Sequence, residues 1–328
     1  MDRGRRRFIG ALAAAGAWPL FPPRRRGAVA PIHRIGFLIR EGYAQLVDAF
    51  RGELARLGYV EDVDIVIEKR ASRPDLSDLP AQAVELVVSK VSLIVASSLS
   101  QALAVRQADP KMPMVIATCP GIVRNGFAKT VDRPGGNATG IDELPPGVTS
   151  KRLSLLKTAA PSLSRIGLLS TSEGIGAYET QLADARSEAA RLGVTVKPYP
   201  AESLGEIEQA LSAMVKDGAQ GLVNFQGGLS LFHRQRIIEF AAAHRMPAIF
   251  QATLFAEAGG LMAWAPDLLW QYREAARYVD KILRGAKPGD LPVQYPPKYY
   301  LTINAATART LELNLPAALL AQANRVVE

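Results

Sequence analysis

Hydroxyl, amide and charged side chains recur in this 328-residue chain just after short apolar segments that have the pattern of buried strands. Hydroxyls and amides both donate and accept hydrogen bonds, and the glycines and helix starts beside them offer backbone N–H groups to a carboxylate. Aromatic residues at similar places could stack on a flat or apolar ligand. The candidate binding residues are Arg40, Glu41, Tyr43, Ser97, Ser98, Ser100, Thr118, Thr171, Phe225, Gln226, Gln251, Trp264 and Asp267.

Each of these residues also has a purely structural interpretation. Ser98 and Ser100 precede the predicted helix at 101–108, where a serine caps the first turn as readily as it binds a ligand. Tyr43, Phe225 and Trp264, taken singly, are as well suited to a hydrophobic core as to the wall of a pocket. The binding hypothesis therefore depends on the whole set.

Motifs for catalysis or cofactor binding do not appear. No predicted strand is followed by G-x-G-x-x-G or by G-x-x-x-x-G-K-[ST], and no G-x-S-x-G is present. The single cysteine, Cys119, excludes an intramolecular disulfide, and without a basic neighbour in sequence it is best interpreted as a small buried hydrophobe. The three histidines lack metal-ligand spacing. We predict no catalytic residue, no cofactor and no metal.

The elements that position the candidate residues alternate between strand and helix. This order predicts parallel sheets with helices on both faces, a doubly wound α/β fold in which ligands bind beyond the carboxyl ends of the strands. The first set of predicted strands is 34–39, 63–69, 93–97 and 114–118, with helices at 43–57, 79–89 and 101–108. The second set is 165–169, 195–198, 221–225 and 248–251, with helices at 177–192, 204–216 and 233–244.

Two such units predict two similar lobes with a ligand cleft between them. The break falls between Asp142 and Ser150, where two prolines and a glycine interrupt both helix and strand. The remaining strand at 261–264, the helix at 268–283 and the extended stretch at 291–304 are too few for a third domain, so the chain should cross a multi-strand hinge more than once. We predict that lobe 1 comprises 31–143 plus about 259–290, and lobe 2 comprises 148–256 plus about 293–328.

Residues 1–30 have the layout of an export signal. A basic head containing Arg5-Arg6-Arg7-Phe8-Ile9 precedes a short apolar stretch and an A-x-A site at Ala28-Val29-Ala30. The head resembles a twin-arginine signal, which predicts a periplasmic protein without stable membrane insertion; a disordered basic tail is the alternative. Seven arginines and one aspartate give this segment +6 of the total charge of +8, leaving +2 for the rest. The remaining charge does not favour nucleic-acid binding.

Several segments together resemble the ABC-transporter substrate-binding proteins of the TrpX type, which have the type I periplasmic-binding-protein fold. The resemblance covers essentially the whole chain. It is carried by Arg34-Ile35-Gly36-Phe37-Leu38, residues 54–59, Arg133-Pro134-Gly135-Gly136-Asn137-Ala138-Thr139-Gly140, Lys151-Arg152-Leu153, residues 257–262, residues 278–288 and Leu291-Pro292-Val293.

The resemblance implies two lobes that close on a small ligand, which is then handed to a membrane permease with its ATPase. Relatives with assigned ligands are associated with aromatic amino acids. Where relatives often carry Asp-Pro or Asn-Pro pairs at the cleft, this chain has Gly121-Ile122, Gly227-Gly228 and Thr171-Ser172. Glu41 and Asp267 remain as partners for a cation, and Arg40 could hold a carboxylate bidentately.

The sequence thus predicts a monomeric, non-enzymatic periplasmic protein that captures a small polar or aromatic molecule, amino-acid-like or a carboxylate, by lobe closure for an ABC importer. A ligand-sensing protein for a membrane receptor or kinase would have the same fold, and gene neighbourhood would distinguish the two. A racemase or isomerase on this scaffold is a third hypothesis, although it would need an acid and a base facing each other across the cleft.

Overall fold

A computed structural model describes residues 32–73, 75–171 and 175–328, so the predicted export signal lies outside the described residues. The first lobe is built on a five-stranded parallel sheet in the order β2-β1-β3-β4-β5. Its strands are β1 (His33–Arg40), β2 (Ile65–Ser72), β3 (Leu93–Ala96), β4 (Met114–Cys119) and β5 (Ala138–Asp142). Its connecting helices are α1 (Ala44–Arg56), α2 (Leu79–Val88) and α3 (Leu99–Ala108).

The second lobe has a seven-stranded sheet in the order β12-β11-β10-β9-β8-β6-β7, in which only the β10–β11 pair is antiparallel. Its strands are β6 (Arg165–Thr171), β7 (Thr195–Ala201), β8 (Gly221–Asn224), β9 (Ala248–Phe250), β10 (Met262–Pro266), β11 (Tyr299–Asn304) and β12 (Arg325–Val327). Its helices are α4 (Val148–Ala159), α5 (Ile175–Leu192), α6 (Leu204–Lys216), α7 (Gly228–Phe232), α8 (Arg234–Ala243), α9 (Thr253–Glu257), α11 (Ala305–Thr310) and α12 (Ala317–Gln322). The predicted α/β fold with two lobes is confirmed.

Alternation of side chains along each strand builds a core on both faces of each sheet. In β1, Ile35, Phe37 and Ile39 pack with α1, whereas Leu38 faces the opposite side and packs with α2 and α3. A strand covered on both faces is apolar along its whole length, which explains why the sequence pattern of β1 is so clear.

The long helix α10 (Leu268–Leu283) belongs to the first lobe and packs against α1. Glu53 on α1 is 5% exposed and forms ion pairs with Arg56 at 2.6 Å and with Arg277 of α10 at 2.8 Å. Hydrogen bonds from the two arginines lower the pKa of Glu53 to about 2. The first lobe is therefore completed by helix α10, which follows most of the second lobe in sequence.

One predicted boundary is wrong. We expected residues from about 259 to join the first lobe, but β10 pairs with β9 and β11 in the second sheet, so the chain returns to the first lobe only at α10. It crosses again after a 3-10 turn at Pro288–Asp290: Gln294 still pairs with β5, and β11 begins at Tyr299. Three segments therefore connect the lobes. Strand pairing across a sheet cannot be read from local periodicity, which is why β10 was misplaced.

Strand β5 requires a glycine. Gly140 has φ +148°, and a Cβ at this position would lie 2.0 Å from the Ile116 carbonyl oxygen of β4. No side chain can be accommodated at that distance, so the glycine permits the close approach of β5 to β4. Within the described residues, no helix is both long and apolar enough to cross a membrane.

Candidate functional site

A cavity of about 620 Å³ lies between the lobes, at the carboxyl ends of the strands. The wall from the first lobe includes residues from the end of β1, the start of α1, the turn before α3, the ends of β4 and β5 and the start of α10. Across from them are the turns after β8 and β9, the end of β10, and a rim from β11 and β12. Its polar and aromatic lining comprises Arg40, Tyr43, Gln45, Ser97, Ser98, Gln101, Thr118, Glu143, Gln226, Gln251, Thr253, Glu257, Asp267, Gln271, Tyr272, Tyr300, Thr302, Asn324 and Arg325.

Most of the predicted binding residues lie on this wall. The structure brings together Arg40, Tyr43, Ser97, Ser98, Thr118, Gln226, Gln251 and Asp267, from both lobes. It does not place Glu41, Ser100, Thr171, Phe225 or Trp264 there.

The five exceptions have simple physical reasons. Glu41 is exposed in the turn after β1, and Ser100 lies within the first turn of α3, away from the wall. Phe225 is fully buried in the core beside Tyr178. Thr171 is buried against the backbone of Gly227; a Cβ built on Gly227 would lie only 2.3 Å from Thr171 Oγ1. Trp264 points away from the cavity and stacks on Tyr299, with ring centroids 5.9 Å apart, because successive side chains of a strand face opposite sides.

Arg40 is the cationic group at the junction of the lobes. Its side chain is 6% exposed, and one terminal nitrogen donates to the Gly228 carbonyl oxygen of the opposite lobe at 2.9 Å. The guanidinium carbon lies 5.8 Å from the centroid of the Phe232 ring, and Nε has no hydrogen-bond partner among the described residues. No described carboxylate forms an ion pair with it. Burial of a guanidinium without a carboxylate partner lowers the stability of the fold unless an anion binds to it.

The turn after β8 is held by two glutamines. Gln251 accepts from the Gly227 N–H at 3.0 Å, and its Nε2 donates to the Gly227 carbonyl and to Ser230 Oγ. The backbone N–H of Gln226 donates to Gln181 Oε1 at 2.6 Å. The amide of Gln251 is thus fully engaged in shaping the wall, while the side chain of Gln226 lines the cavity.

Behind Gln226 lies Arg152 of α4, which is fully buried. Its Nη2 donates to Gln226 Oε1 at 2.8 Å and its Nε donates to the Trp264 carbonyl at 3.0 Å. Burial lowers the pKa of Arg152 to about 10, which still leaves the guanidinium charged at neutral pH.

Acidic and aromatic groups complete the wall. Asp267 begins α10, where its Oδ1 accepts from the Trp270 N–H at 3.1 Å, and Glu143 follows β5. Tyr272 is 3% exposed and donates to the Ser97 carbonyl at 3.2 Å, and burial raises the pKa of its hydroxyl. Tyr43 lies on the same wall. The cavity therefore offers guanidinium groups, carboxylates and three phenol rings.

Gln271 is the most unusual of the wall residues. It is fully buried, and neither its Nε2 nor its Oε1 has a hydrogen-bond partner among the described residues. Nearly all buried amides in proteins are hydrogen-bonded, so this one lacks a stabilising interaction.

Sequence reasoning missed four groups that matter here. Glu143 was missed because β5 itself was not predicted. Gln271 and Tyr272 lie within α10, whose amphipathic pattern gave no reason to separate a wall residue from a core residue. Arg152 occurs in a helix that was not predicted, and an arginine in a charged stretch is ordinarily interpreted as solvent-exposed.

The described residues contain no cluster of three or more His, Cys, Asp or Glu side chains suited to a metal ion. Cys119 is buried within the core of the first lobe, as predicted. The chemistry available in the cavity is hydrogen bonding, charge pairing and aromatic contact.

Comparisons with known proteins agree with this architecture. A sequence profile for the family described as ABC transporter substrate binding protein matches residues 35–327. The tyrosine-binding protein of Clostridioides difficile is 23% identical over 256 residues, or 78% of this chain and 73% of that protein. The crystal structure of an ABC domain in complex with L-Trp from Streptococcus pneumoniae has a TM-score of 0.84 and 23% identity, covering 90% of this chain and 100% of that one. A ligand-free, open substrate-binding protein with adhesive properties from Clostridium difficile has a TM-score of 0.66 and 22% identity, covering 90% of this chain and 99% of that one.

Proposed function

The chain belongs to the family of ABC transporter substrate-binding proteins, as its sequence resemblance predicted, and on that premise we propose that it captures an aromatic amino acid between its lobes. The captured molecule is then delivered to the membrane permease of an importer. The residues on the cavity wall bind and orient the ligand, and none of them is assigned a catalytic step.

The observation that carries this proposal is the state of Arg40. Arg40 is 6% exposed on the cavity wall, its Nε has no hydrogen-bond partner, and no carboxylate among the described residues balances its charge. A ligand carboxylate would balance the charge of Arg40, because guanidinium and carboxylate form short, charge-assisted hydrogen bonds.

The remaining wall suits the other parts of an amino acid. The carboxylate of Asp267 provides a partner for an ammonium group, and the rings of Tyr43 and Tyr272 provide an aromatic surface. A cavity of about 620 Å³ is within the usual range of ~300–1,000 Å³ for small-molecule sites. Two similar proteins, the tyrosine-binding protein and the ABC domain in complex with L-Trp, support the same ligand class.

Arg40 also couples ligand binding to lobe closure. Its hydrogen bond to the Gly228 carbonyl joins the two lobes and exists only when they are together. A ligand that neutralises Arg40 lowers the free energy of the closed form more than that of the open form, which shifts the population toward closure. Recognition of the closed form by the permease would then couple delivery to ligand capture.

The cellular location of the protein follows from its proposed role as a solute-binding protein. We propose that residues 1–30 direct export, that the twin-arginine route is used, and that the protein acts in the periplasm as a monomer. The arginine-rich start and the A-x-A site support this assignment.

Thermal unfolding and calorimetric titration of the full-length protein test the proposal. The panel contains L-tyrosine, L-tryptophan, L-phenylalanine, L-glutamate and D-glucose. We expect one aromatic amino acid to bind with one molecule per chain and, at ~100 times its Kd, to raise the unfolding free energy by ~2.7 kcal/mol. Binding of glucose with no response to any amino acid would contradict the proposal.

A further inference from the structure

Arg152 does not line the cavity, yet its hydrogen bond to Gln226 determines which atoms of that side chain face a ligand. We propose, on the basis of the function proposed above, that Arg152 is a positioning residue that turns the Nε2 hydrogens of Gln226 toward the cavity, where they bind the carboxylate of the captured amino acid.

The orientation of Gln226 follows from donor and acceptor chemistry. A guanidinium carries only donors, so the end of the amide that meets Arg152 Nη2 at 2.8 Å must be the oxygen. The backbone of Gln226 is also fixed, because its N–H donates to Gln181 Oε1 at 2.6 Å. With the backbone and the oxygen both held, the two hydrogens on Nε2 are directed away from Arg152. Gln226 therefore acts toward the cavity as a donor only.

Arg152 is itself immobilised. It is fully buried, its Nε donates to the Trp264 carbonyl of β10 at 3.0 Å, and no described carboxylate pairs with it. A carboxylate at the position of Gln226 would neutralise Arg152 and would present an acceptor to the cavity. The neutral amide of Gln226 leaves Arg152 charged and presents a donor instead.

The donors of the two lobes lie close together. Arg40, from the first lobe, reaches the carbonyl of Gly228, which is only two residues after Gln226 in the second lobe. One carboxylate placed between them would accept hydrogen bonds from both lobes. Selectivity for a carboxylate would thus depend on closure, and closure on the carboxylate.

The variant Gln226→Glu tests this role while conserving shape. One oxygen of the new carboxylate should accept from Arg152, which gains a counter-ion, and the other places an acceptor where donors had been. Three probes separate the charged groups: L-tyrosine, tyramine, which lacks the carboxylate, and 3-(4-hydroxyphenyl)propionate, which lacks the ammonium. Calorimetry measures the three affinities, and thermal unfolding of the ligand-free full-length protein measures stability.

We expect the affinities for L-tyrosine and for the propionate to fall at least tenfold in Gln226→Glu, because a charge-assisted hydrogen bond is lost and a like charge is added. The affinity for tyramine should stay constant or rise, and the Tm of the ligand-free protein should not fall. Gln209→Glu is the control, since it adds the same charge at an exposed residue of the second lobe that does not line the cavity. It should change each affinity less than threefold.

Arg152→Met extends the test through a double-mutant cycle. Because Arg152 acts through Gln226, this substitution should weaken L-tyrosine binding in the parent protein but not in a Gln226→Leu background. Equal losses in both backgrounds would show a structural role only and would overturn the inference. Should Arg152→Met fail to fold, Gln226→Glu still decides the question.

The outcomes separate the inference from the function on which it rests. Failure of the parent protein to bind L-tyrosine, L-tryptophan or L-phenylalanine would refute the proposed function; if it binds one of the latter two instead of L-tyrosine, the amine and the propionate of that amino acid replace the tyrosine probes. A clear fall in the Tm of ligand-free Gln226→Glu would refute the contact with Arg152 whether or not a probe binds, because the new buried carboxylate would lack a partner. Equal changes in affinity for all three probes would refute carboxylate binding by Gln226.

Discussion

Replacing Arg40 by methionine should separate ligand affinity from stability. Methionine keeps an unbranched apolar stem of similar length but removes all of the donors. In the ligand-bound protein, Arg40 would donate to the ligand carboxylate and, across the lobes, to the Gly228 carbonyl, as it does at 2.9 Å in this structure. Each hydrogen bond to a charged group contributes about 1.5–3 kcal/mol, and a side chain that is 6% exposed is little screened by solvent.

Only the bond to the ligand forms on binding, so its loss predicts a loss of about 1.5–3 kcal/mol in binding free energy, which corresponds to a fall of at least about tenfold in affinity at 1.4 kcal/mol per factor of ten. The ligand-free protein should respond in the opposite way. Arg40 is a buried cation without a carboxylate among the described residues, and replacing such a group by an apolar one is often neutral or stabilising. We expect a Tm equal to that of the parent protein or higher.

The assay is calorimetric titration of full-length Arg40→Met with L-tyrosine, together with thermal unfolding of the ligand-free variant. Arg273→Met is the matched control, since Arg273 is exposed on α10 and does not line the cavity. An affinity within threefold of the parent would refute the role given to Arg40. A large fall in Tm would refute the interpretation that its charge is unbalanced before the ligand binds.

Five further substitutions test the packing and hydrogen bonding of the fold. Gln271→Leu should raise the free energy of unfolding by about 1–2 kcal/mol, because the amide of Gln271 has no hydrogen-bond partner among the described residues. Gln251→Leu should lower it by about 1–2 kcal/mol, because the amide of Gln251 is fully hydrogen-bonded. Tm shifts of the same sign in the two variants would contradict this reasoning. Glu53→Gln should destabilise the protein by about 2 kcal/mol at pH 7 in denaturant unfolding. Since the folded pKa of about 2 lies below the unfolded value of 4.5, the stabilisation is present above pH 4.5 and is lost as the pH falls toward 2; a difference independent of pH would exclude this ion pair. Gly52→Ala should stabilise α1 by about 0.5–1 kcal/mol because its Cβ meets no atom within 4 Å, whereas Gly140→Ala should cost more than about 3 kcal/mol, and similar unfolding midpoints for the two variants would contradict the steric reasoning.

The parts of the fold that local patterns determine could be predicted from sequence. Strand β1 is a short, continuous apolar segment because it is buried on both faces, whereas helix α1 has apolar residues with a period of 3.6 because it is buried on one face. The pairing of β10 with the second sheet has no local signal, and β5 was missed because its Ala138-Thr139-Gly140-Ile141-Asp142 segment is short and contains a glycine. Such a strand is stabilised by its neighbours more than by its own propensity.

The candidate site shows the same limit. Residues that end buried strands or begin helices, such as Arg40 and Ser97, could be located because the fold class determines where those ends meet. The inward direction of a side chain within a helix could not, which is why Gln271 was missed. The role of Arg152 depends on its complete burial and on its hydrogen bonds to Gln226 and Trp264, which are distant in sequence and meet it only in the tertiary structure.

A crystal structure of the full-length protein with L-tyrosine would test ligand capture most directly. We expect one molecule between the lobes, with its carboxylate within hydrogen-bond distance of Arg40 and of Gln226 Nε2, its ammonium near Asp267 and its ring against Tyr43 or Tyr272. An amino acid bound outside this cavity, or bound in it with the carboxylate turned away from Arg40, would contradict the proposed mode of recognition.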